Sequence, residues 1–183
     1  MAGVRIATED DAAAIAAIYG PYVLQTAISF EEIAPSQDEM RARIRATLAA
    51  YPYLVFEDEG QVLAYAYASR HAARAAYRWS VDVAIYAAPT AHRRGMGRAL
   101  YGRLLELLAR QGYHSAYAAI ALPNDRSVGL HAAMGFIEVG RFPAIGFKLG
   151  AWRDLAWWMR PLRAGSPQGE PIAFSDLPRA PLD

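Results

Sequence analysis

One segment in the middle of the chain constrains the fold more than any other. It joins a strongly β-like stretch, about residues 77–86, to a helix through His92-Arg93-Arg94-Gly95-Met96-Gly97. The helix is predicted by leucines at helical spacing (Leu100, Leu104, Leu107 and Leu108) and by Gly112 as its end. Glycines let the backbone approach a ligand closely, and the free N–H groups at a helix start favour an anion. The segment therefore predicts a strand–helix unit that binds a pyrophosphate.

An ordinary glycine-containing turn with solvated arginines is the alternative interpretation of this segment. Two other phosphate-binding motifs are excluded. A dinucleotide fingerprint requires a third glycine near the position where Leu100 stands. A nucleotide P-loop requires Gly-Lys-Ser/Thr, whereas Lys148 is the only lysine of the chain.

The apolar patterning of the rest of the chain predicts a mixed order of strands and helices. Two capping boxes, Thr8 with Asp11 and Ser36 with Glu39, predict two helix starts, and we expect the first helix to kink or restart at Gly20-Pro21. Extended segments are predicted at about 4–7, 28–30, 53–56, 62–67, 77–86, 116–122, 137–139 (continuing towards 142) and 155–159, with a short helix over 124–135. The order β-α-α-β-β-β-α-β-α-β-β indicates an α/β fold rather than strict βαβ alternation.

Composition places this pattern in a single domain. The 183 residues are 54% hydrophobic, which suits one compact core, and the net charge of +1 favours neither a nucleic acid nor a membrane surface as partner. The chain has no cysteine, so disulfides, thiolate metal sites and cysteine nucleophiles are excluded. It shows neither a secretory signal nor an apolar span, so a cytoplasmic protein is expected. We expect a domain over residues 1–162 and a Pro/Gly-rich tail over 163–183, which shows no hydrophobic period.

The segment from His92 to Gly97 resembles the coenzyme A motif of the GNAT superfamily, Gln/Arg-x-x-Gly-x-Gly/Ala. Gly95 and Gly97 match this pattern, and His92 stands where Gln or Arg is usual. Four further segments, residues 22–32, 76–82, 122–136 and 146–154, resemble phosphinothricin and methionine sulfoximine acetyltransferases. The resemblance extends over about residues 4–162. It implies a mixed, mostly antiparallel sheet that splays at the coenzyme A site and is flanked by about four helices.

The same resemblance implies where acetyl-CoA binds as co-substrate, without a metal. The pantetheine arm is expected along Ile85, Tyr86 and Ala87. The pyrophosphate is expected against a cradle made of Arg93, Arg94, Gly95, Met96, Gly97 and Arg98. Asn124 matches a position that contacts the coenzyme near the thioester, and it also fits the N-cap of the short helix.

Two residues are implied as catalytic. Asp82 stands where these enzymes usually carry a glutamate, and a carboxylate there would help the acceptor ammonium lose its proton, directly or through a water. Its alternative role is that of an outward-facing strand acid in a salt bridge. His131 matches the position of the acid that protonates the coenzyme A thiolate, because a histidine can donate a proton near neutral pH. The alternative for His131 is a polar residue on the exposed face of the short helix.

The acceptor pocket is implied less directly. Arg74 is a candidate for the acceptor's carboxylate, since guanidinium groups bind carboxylates in a bidentate fork. Phe30, Glu31 and Tyr77 match positions near the acceptor in similar enzymes, although each also fits a surface or core role. The resemblance implies an N-acetyltransferase for a small amino acid or analogue (methionine sulfoximine, methionine sulfone or phosphinothricin) and a homodimer. Another amine acceptor (a polyamine, an antibiotic or a protein N-terminus) and a non-catalytic acyl-CoA-binding module are the alternatives.

Overall fold

The architecture is a seven-stranded mixed sheet in the order β1-β2-β3-β4-β5-β7-β6. The computed structural model describes residues 2–91 and 95–178. The strands are β1 Gly3–Ile6, β2 Tyr53–Asp58, β3 Gln61–Arg70, β4 Ser80–Ala87, β5 Ser115–Ala121, β6 Ile137–Lys148 and β7 Ala151–Pro161. All strand pairs are antiparallel except β4 with β5. The expected α/β fold with a mostly antiparallel sheet is therefore confirmed.

Four helices flank this sheet in the described residues: α1 Ala12–Gln25, α2 Gln37–Ala50, α3 Met96–Gln111 and α4 Asp125–Ala133. Ser36 and Glu39 form the expected capping box at the start of α2. At the other expected box, the Thr8 N–H donates to the Asp11 carboxylate. The restart that we expected at Gly20-Pro21 is wrong, because α1 continues through Pro21 to Gln25. Pro21 removes only one hydrogen bond of the helix. The burial of Tyr19 and Val23 on either side of it stabilises the continuous helix.

The two faces of the sheet carry separate apolar cores. On one face α3 packs through Leu100, Leu104 and Leu108, and this core includes Val81 and Val83 of β4. On the other face α1 and α2 pack through residues such as Ile15 and Ile44 against the tyrosines of β2 and β3. Because side chains alternate along a strand, Asp82 lies on the α1–α2 face, between the two valines that face α3.

The sheet opens between β4 and β5. These two strands pair only over Ser80–Asp82 and Ser115–Tyr117, and no pairing joins residues 83–87 to residues 118–121. β4 stays bonded to β3 as far as Ala87, and β5 stays bonded to β7 as far as Ala121. The two halves of the sheet therefore diverge beyond the pair formed by Asp82 and Tyr117, which confirms the expected splay.

Several expected segment boundaries differ in the structure. Residues 28–30, expected to be extended, form no strand, because side chains bond locally there: Thr26 Oγ1 accepts from the Ile28 N–H and Ser29 Oγ from the Glu31 N–H. The strand expected to begin at Tyr77 begins at Ser80, after a 3₁₀ turn over Ala75–Tyr77. The strand expected over 137–139 and towards 142 extends to Lys148, and a register shift between Phe142 and Gly146 accommodates Pro143.

The segment after Leu162 packs against the body as far as it is described. Leu177 is only 8% exposed and belongs to the core beneath α3. The Gln111 side-chain amide donates to the carbonyls of Ala50 and Ile172, and the Trp79 indole donates to the Gly169 carbonyl. These contacts could not be predicted from the Pro-rich composition, because hydrogen bonds to backbone carbonyls require no apolar periodicity. None of the helices formed by the described residues has the length and apolar character needed to cross a membrane.

Candidate active site

A cavity of about 680 Å³ occupies the opening between β4 and β5. Its walls are residues 83–87 of β4 and 118–121 of β5. One end lies at the start of α3, and the other is lined by residues from the end of α1 and the loop after it, including Thr26 and Ile28. The cavity therefore passes through the sheet from the α3 face to the α1–α2 face.

The α3 end of the cavity is built to receive an anion. Gly95 is the N-cap of α3 with φ 75°, a left-handed conformation that favours glycine. Its carbonyl accepts from the N–H groups of Arg98 and Ala99, so the Met96 and Gly97 N–H groups have no acceptor within the helix. A Cβ on Gly97 would lie 3.0 Å from Leu130 Cδ2, so this position leaves little room for a side chain. Arg98 lines the cavity, whereas His92 and the predicted residues Arg93 and Arg94 lie outside the described residues.

The middle of the cavity follows the unpaired edge of β4. The Ala88 N–H donates to the Leu63 carbonyl. Because hydrogen-bonded and open positions alternate in an antiparallel ladder, the Tyr86 backbone bonds to β3 and the backbone groups of Ile85 face the opening. The Ala87 carbonyl accepts from the Tyr22 hydroxyl at 2.7 Å. Asn124 lines the same cavity and also caps α4, where its Oδ1 accepts from the Ser127 N–H.

Asp82 lies at the inner end of the opening and contacts a residue that the sequence did not single out. His71 Nδ1 is 2.6 Å from Asp82 Oδ1. Burial raises the pKa of Asp82, and the hydrogen bond with His71 acts in the opposite direction. The β3–β4 register aligns Ser69 with Asp82, which brings His71 beside the carboxylate. That register was not readable from the sequence, so His71 was missed.

His131 is buried, at 3% exposure, and both of its ring nitrogens are hydrogen-bonded. Nδ1 lies 2.7 Å from the Ser127 carbonyl and Nε2 lies 2.9 Å from the Tyr101 hydroxyl. Burial lowers the pKa of His131, which favours the neutral ring. A carbonyl can only accept, so the ring proton is assigned to Nδ1 and Nε2 accepts from Tyr101. His131 is therefore not a residue of an exposed face. It supports Tyr101, which also lines the cavity and which the sequence did not single out.

The predicted acceptor residues fall into two groups. In the loop after α1, the Glu31 carboxylate binds the Arg43 guanidinium through two contacts of 2.8 Å and accepts from the Tyr19 hydroxyl. The ion pair with Arg43 lowers the pKa of Glu31. Phe30 is 39% exposed, and its ring lies so close to Gly146 that a Cβ there would be 2.6 Å from it. Glu31 thus holds its loop, whereas Phe30 stays partly available for contact.

Arg74 and Tyr77 form the second group, at the 3₁₀ turn that precedes β4. Tyr77 is 45% exposed and its ring centroid lies 5.9 Å from that of His71, so it stands near Asp82. Arg74 is exposed, and its side chain has no hydrogen bond or ion pair within the described ranges 2–91 and 95–178.

The comparisons with known proteins consistently find acetyltransferases. A family model described as an acetyltransferase (GNAT) domain matches residues 4–157. The phosphinothricin N-acetyltransferase of Alcaligenes faecalis is 44% identical over 167 residues, which are 88% of this chain and 83% of that protein. The L-methionine sulfoximine/L-methionine sulfone acetyltransferase of Salmonella typhimurium is 34% identical over 84% of this chain and 91% of its own length.

A solved structure shows the same similarity in three dimensions. The GNAT superfamily phosphinothricin acetyltransferase of Sinorhizobium meliloti, crystallised in complex with AcCoA, matches with a TM-score of 0.89 and 37% identity over 98% of this chain and 99% of its own. No group of three or more acidic or histidine side chains in the described part of the chain could hold a metal ion.

Proposed function

The chain belongs to the GNAT acetyltransferase family, and we propose that it transfers the acetyl group of acetyl-CoA to the α-amino group of a small amino acid or analogue. Methionine sulfone, methionine sulfoximine and phosphinothricin are the acceptor types that the relatives' names support. The observation that carries the proposal is the cavity through the sheet. It joins an anion-binding helix start on one face to the face on which Asp82 lies.

The residues along this cavity fit acetyl-CoA, which supplies the acetyl group as an activated thioester. The N–H groups of Met96 and Gly97, together with Arg98, suit the pyrophosphate. The open backbone groups of Ile85 suit the amides of the pantetheine arm, since they can bond as a strand would. Tyr86 and Ala87 contribute to the wall rather than to this pairing, because Tyr86 bonds to β3 and the Ala87 carbonyl accepts from Tyr22. The Asn124 amide lies on the same wall, further along the cavity.

Asp82 assists the first chemical requirement, which is removal of a proton from the acceptor ammonium. An α-amino group titrates near about 8 and is mostly protonated at neutral pH, so its lone pair is unavailable for attack. Burial raises the pKa of Asp82, which makes the carboxylate a stronger proton acceptor than an exposed one. We propose that the acceptor nitrogen lies near this end of the cavity.

Tyr101 and His131 serve the last requirement, which is a proton for the coenzyme A thiolate. The Tyr101 hydroxyl lines the cavity and donates to His131 Nε2. We propose that the Tyr101 hydroxyl, which His131 orients, turns towards the sulfur and gives its proton to the thiolate, and that a proton released by the acceptor nitrogen restores the hydroxyl. His131 thereby keeps its expected part in this step, although through Tyr101.

Arg74 and Tyr77 are proposed to hold the acceptor's carboxylate. Arg74 is exposed beside the turn that carries Tyr77, and Tyr77 contacts the His71 ring. A guanidinium without a partner among the described side chains is free to bind a carboxylate in a bidentate fork. Phe30 supplies apolar surface on the opposite loop, and Glu31 holds that loop in place through Arg43.

We further propose a cytoplasmic location, since the reaction requires a supply of acetyl-CoA. We also propose a homodimer. The β6–β7 hairpin forms one edge of the sheet and exposes large apolar side chains, among them Ile137 (59%), Phe147 (58%) and Trp152 (65%). Exposed apolar side chains along a sheet edge favour association with a second copy. Sedimentation velocity that gives only the monomer mass at micromolar concentration would contradict the dimer.

A thiol-release assay tests the proposed activity. The protein and acetyl-CoA are incubated with methionine sulfone, methionine sulfoximine, phosphinothricin, a polyamine, an aminoglycoside or a peptide with a free N-terminus. We expect thiol release only with the amino-acid acceptors. Release with the polyamine, aminoglycoside or peptide alone would change the acceptor class. Acetyl-CoA binding without release for any amine would indicate a binding module rather than an enzyme.

A further inference from the structure

His71 and Asp82 form a hydrogen-bonded pair at the point where the sheet opens. Asp82 and Tyr117 are the last paired positions of β4 and β5, and the cavity wall begins with the next residue of each strand, Val83 and Ala118. The His71 ring stacks on Tyr117 with a centroid distance of 4.6 Å and an interplanar angle of 22°. The imidazole therefore covers the inner end of the opening, beside the Asp82 carboxylate.

The hydrogen bond to Asp82 determines which ring nitrogen of His71 is available. A carboxylate can only accept, so the Nδ1 proton points at Asp82 Oδ1, 2.6 Å away. Nε2 then carries the lone pair of the neutral ring, and it has no hydrogen-bond partner within residues 2–91 and 95–178. The His71 side chain is 21% exposed, so Nε2 remains accessible to a small molecule.

Three aromatic side chains from different elements fix the orientation of this ring. Tyr117 of β5 stacks on it, Trp157 of β7 meets it edge-on at 5.6 Å, and Tyr77 approaches at 5.9 Å. Asp82 is thus the only carboxylate with a described contact to His71, and the other titratable groups facing it are the hydroxyls of Tyr77 and Tyr117. A half-buried carboxylate whose pKa is raised by burial gains from a neighbouring cation, so Asp82 favours the protonated ring once it forms.

We propose that His71 Nε2 takes the proton from the acceptor ammonium and that Asp82 is the residue that positions and charges it. The inference rests on the proposed acetyl transfer and assigns the base within it. Aspartate is one methylene shorter than the glutamate usual here in similar enzymes, and the imidazole extends the carboxylate's reach. An aspartate that orients a histidine through Nδ1 is an arrangement that acyl-transfer enzymes of other folds use.

The proton balance of the step is complete. The ammonium loses one proton to His71 Nε2, and the free lone pair forms the N–C bond to the thioester carbonyl carbon. The C–S bond breaks and its electron pair leaves with sulfur. The nitrogen loses a second proton as the amide forms. One of the two protons ends on the thiol and the other is released from the imidazolium to solvent, so no further reactant is needed.

Replacement of His71 by glutamine tests this assignment. His71→Gln should lower kcat/KM for methionine sulfone by about 10²–10⁴-fold at pH 7, the usual worth of a positioned base. The loss should shrink as the pH rises towards 10, because solution then supplies the free amine. Acetyl-CoA affinity, measured by calorimetry, should stay unchanged, because the ring contacts Asp82, Tyr117 and Trp157 rather than the start of α3. Added imidazole should restore part of the activity of His71→Ala, which a structural role would not allow.

Matched variants separate this inference from its alternatives. His114→Gln, at a histidine that bonds to Ser115, should keep wild-type kinetics. Asp82→Asn should be slow, and the His71→Gln/Asp82→Asn double variant should be no slower than the worse single variant, because the two residues act as a unit. Near-normal activity of His71→Gln beside an inactive Asp82→Asn would assign the base to Asp82 itself and overturn the inference, while acetyl transfer by the wild type would still stand. A loss that is equal at every pH and insensitive to imidazole would overturn it as well. A wild-type protein that acetylates no amine would instead remove the proposed function.

Discussion

Lys148 shows how one residue ties the acceptor loop to the sheet. It is 7% exposed, and its ammonium donates to the carbonyls of Val23, Ser29 and Glu31 at 2.6–2.7 Å. Burial lowers the pKa of Lys148, whereas the carboxylates of Glu32 and Glu31 raise it. A buried ammonium is tolerated only when its protons are all bonded, and these three carbonyls meet that requirement. The end of β6 therefore holds the end of α1 and the loop carrying Phe30 in fixed positions.

Arg74 is the residue at which acceptor recognition can be tested. Arg74→Ala should raise the KM for methionine sulfone about tenfold or more, the usual cost of a charge-assisted hydrogen bond, and leave the KM for acetyl-CoA unchanged. An acceptor amide that lacks the carboxylate should be nearly indifferent to the change. Arg78, which stacks on Trp79 and pairs with Glu170, provides the control Arg78→Ala. Equal losses for both acceptors would give Arg74 a structural role.

At the level of elements, the start of α3 is the proposed site for the pyrophosphate of acetyl-CoA. Gly95 adopts φ 75°, which a side chain disfavours, while Gly102 lies within α3 with open space around the position of a Cβ. We therefore expect replacement by alanine to have opposite effects at Gly95 and at Gly102.

Gly95→Ala should weaken acetyl-CoA binding, because the strained N-cap displaces the N–H groups of Met96 and Gly97 from the phosphates. Gly102→Ala should leave binding unchanged and raise the free energy of unfolding by about 0.5–1 kcal/mol. Calorimetric titration with acetyl-CoA and denaturant unfolding of the two variants measure both effects. Unchanged affinity in a folded Gly95→Ala would remove the pyrophosphate from this position.

The C-terminal segment is a second element whose role can be measured. Leu177→Ala should lower the free energy of unfolding by about 2–3 kcal/mol, since it removes a side chain that packs in the core beneath α3. Leu24→Ala, at a leucine that is 58% exposed on α1, is the matched control and should change stability by less than about 0.5 kcal/mol. An unchanged unfolding midpoint for Leu177→Ala would show that the segment does not stabilise the body.

At the scale of the whole molecule, the parts predicted from sequence are those with a local physical cause. Repeated apolar spacing predicted α3, and the paired residues Ser36 and Glu39 predicted the start of α2. The parts that were missed depend on long-range pairing. Only the β3–β4 register brings His71 to Asp82, and only the packing of α3 against α4 brings Tyr101 to His131. The glycines predicted the helix start of the proposed coenzyme cradle, whereas the partners of Asp82 and His131 could not be predicted.

The opening between β4 and β5 is the feature of the whole molecule on which the proposed transfer depends. Three pairs of residues hold the two strands together, and the cavity begins where that pairing ends. The helix start lies at one end of the cavity, and the pair of His71 with Asp82 lies where the pairing of β4 and β5 ends, so we propose that a donor and an acceptor enter from opposite faces and meet within the sheet. This arrangement supports direct transfer in a ternary complex without a covalent enzyme intermediate.

Isotopic tracing of the acetyl group tests directly whether this protein transfers it from acetyl-CoA to an α-amino group. The protein is incubated with acetyl-CoA labelled in the acetyl carbonyl and with methionine sulfone, and the products are analysed by mass spectrometry and NMR. Direct transfer predicts a labelled acetyl group on the α-nitrogen of methionine sulfone, formed in equal amount to the free thiol, and no label on the protein. Thiol release without labelled N-acetyl product, or label held covalently by the protein, would contradict it.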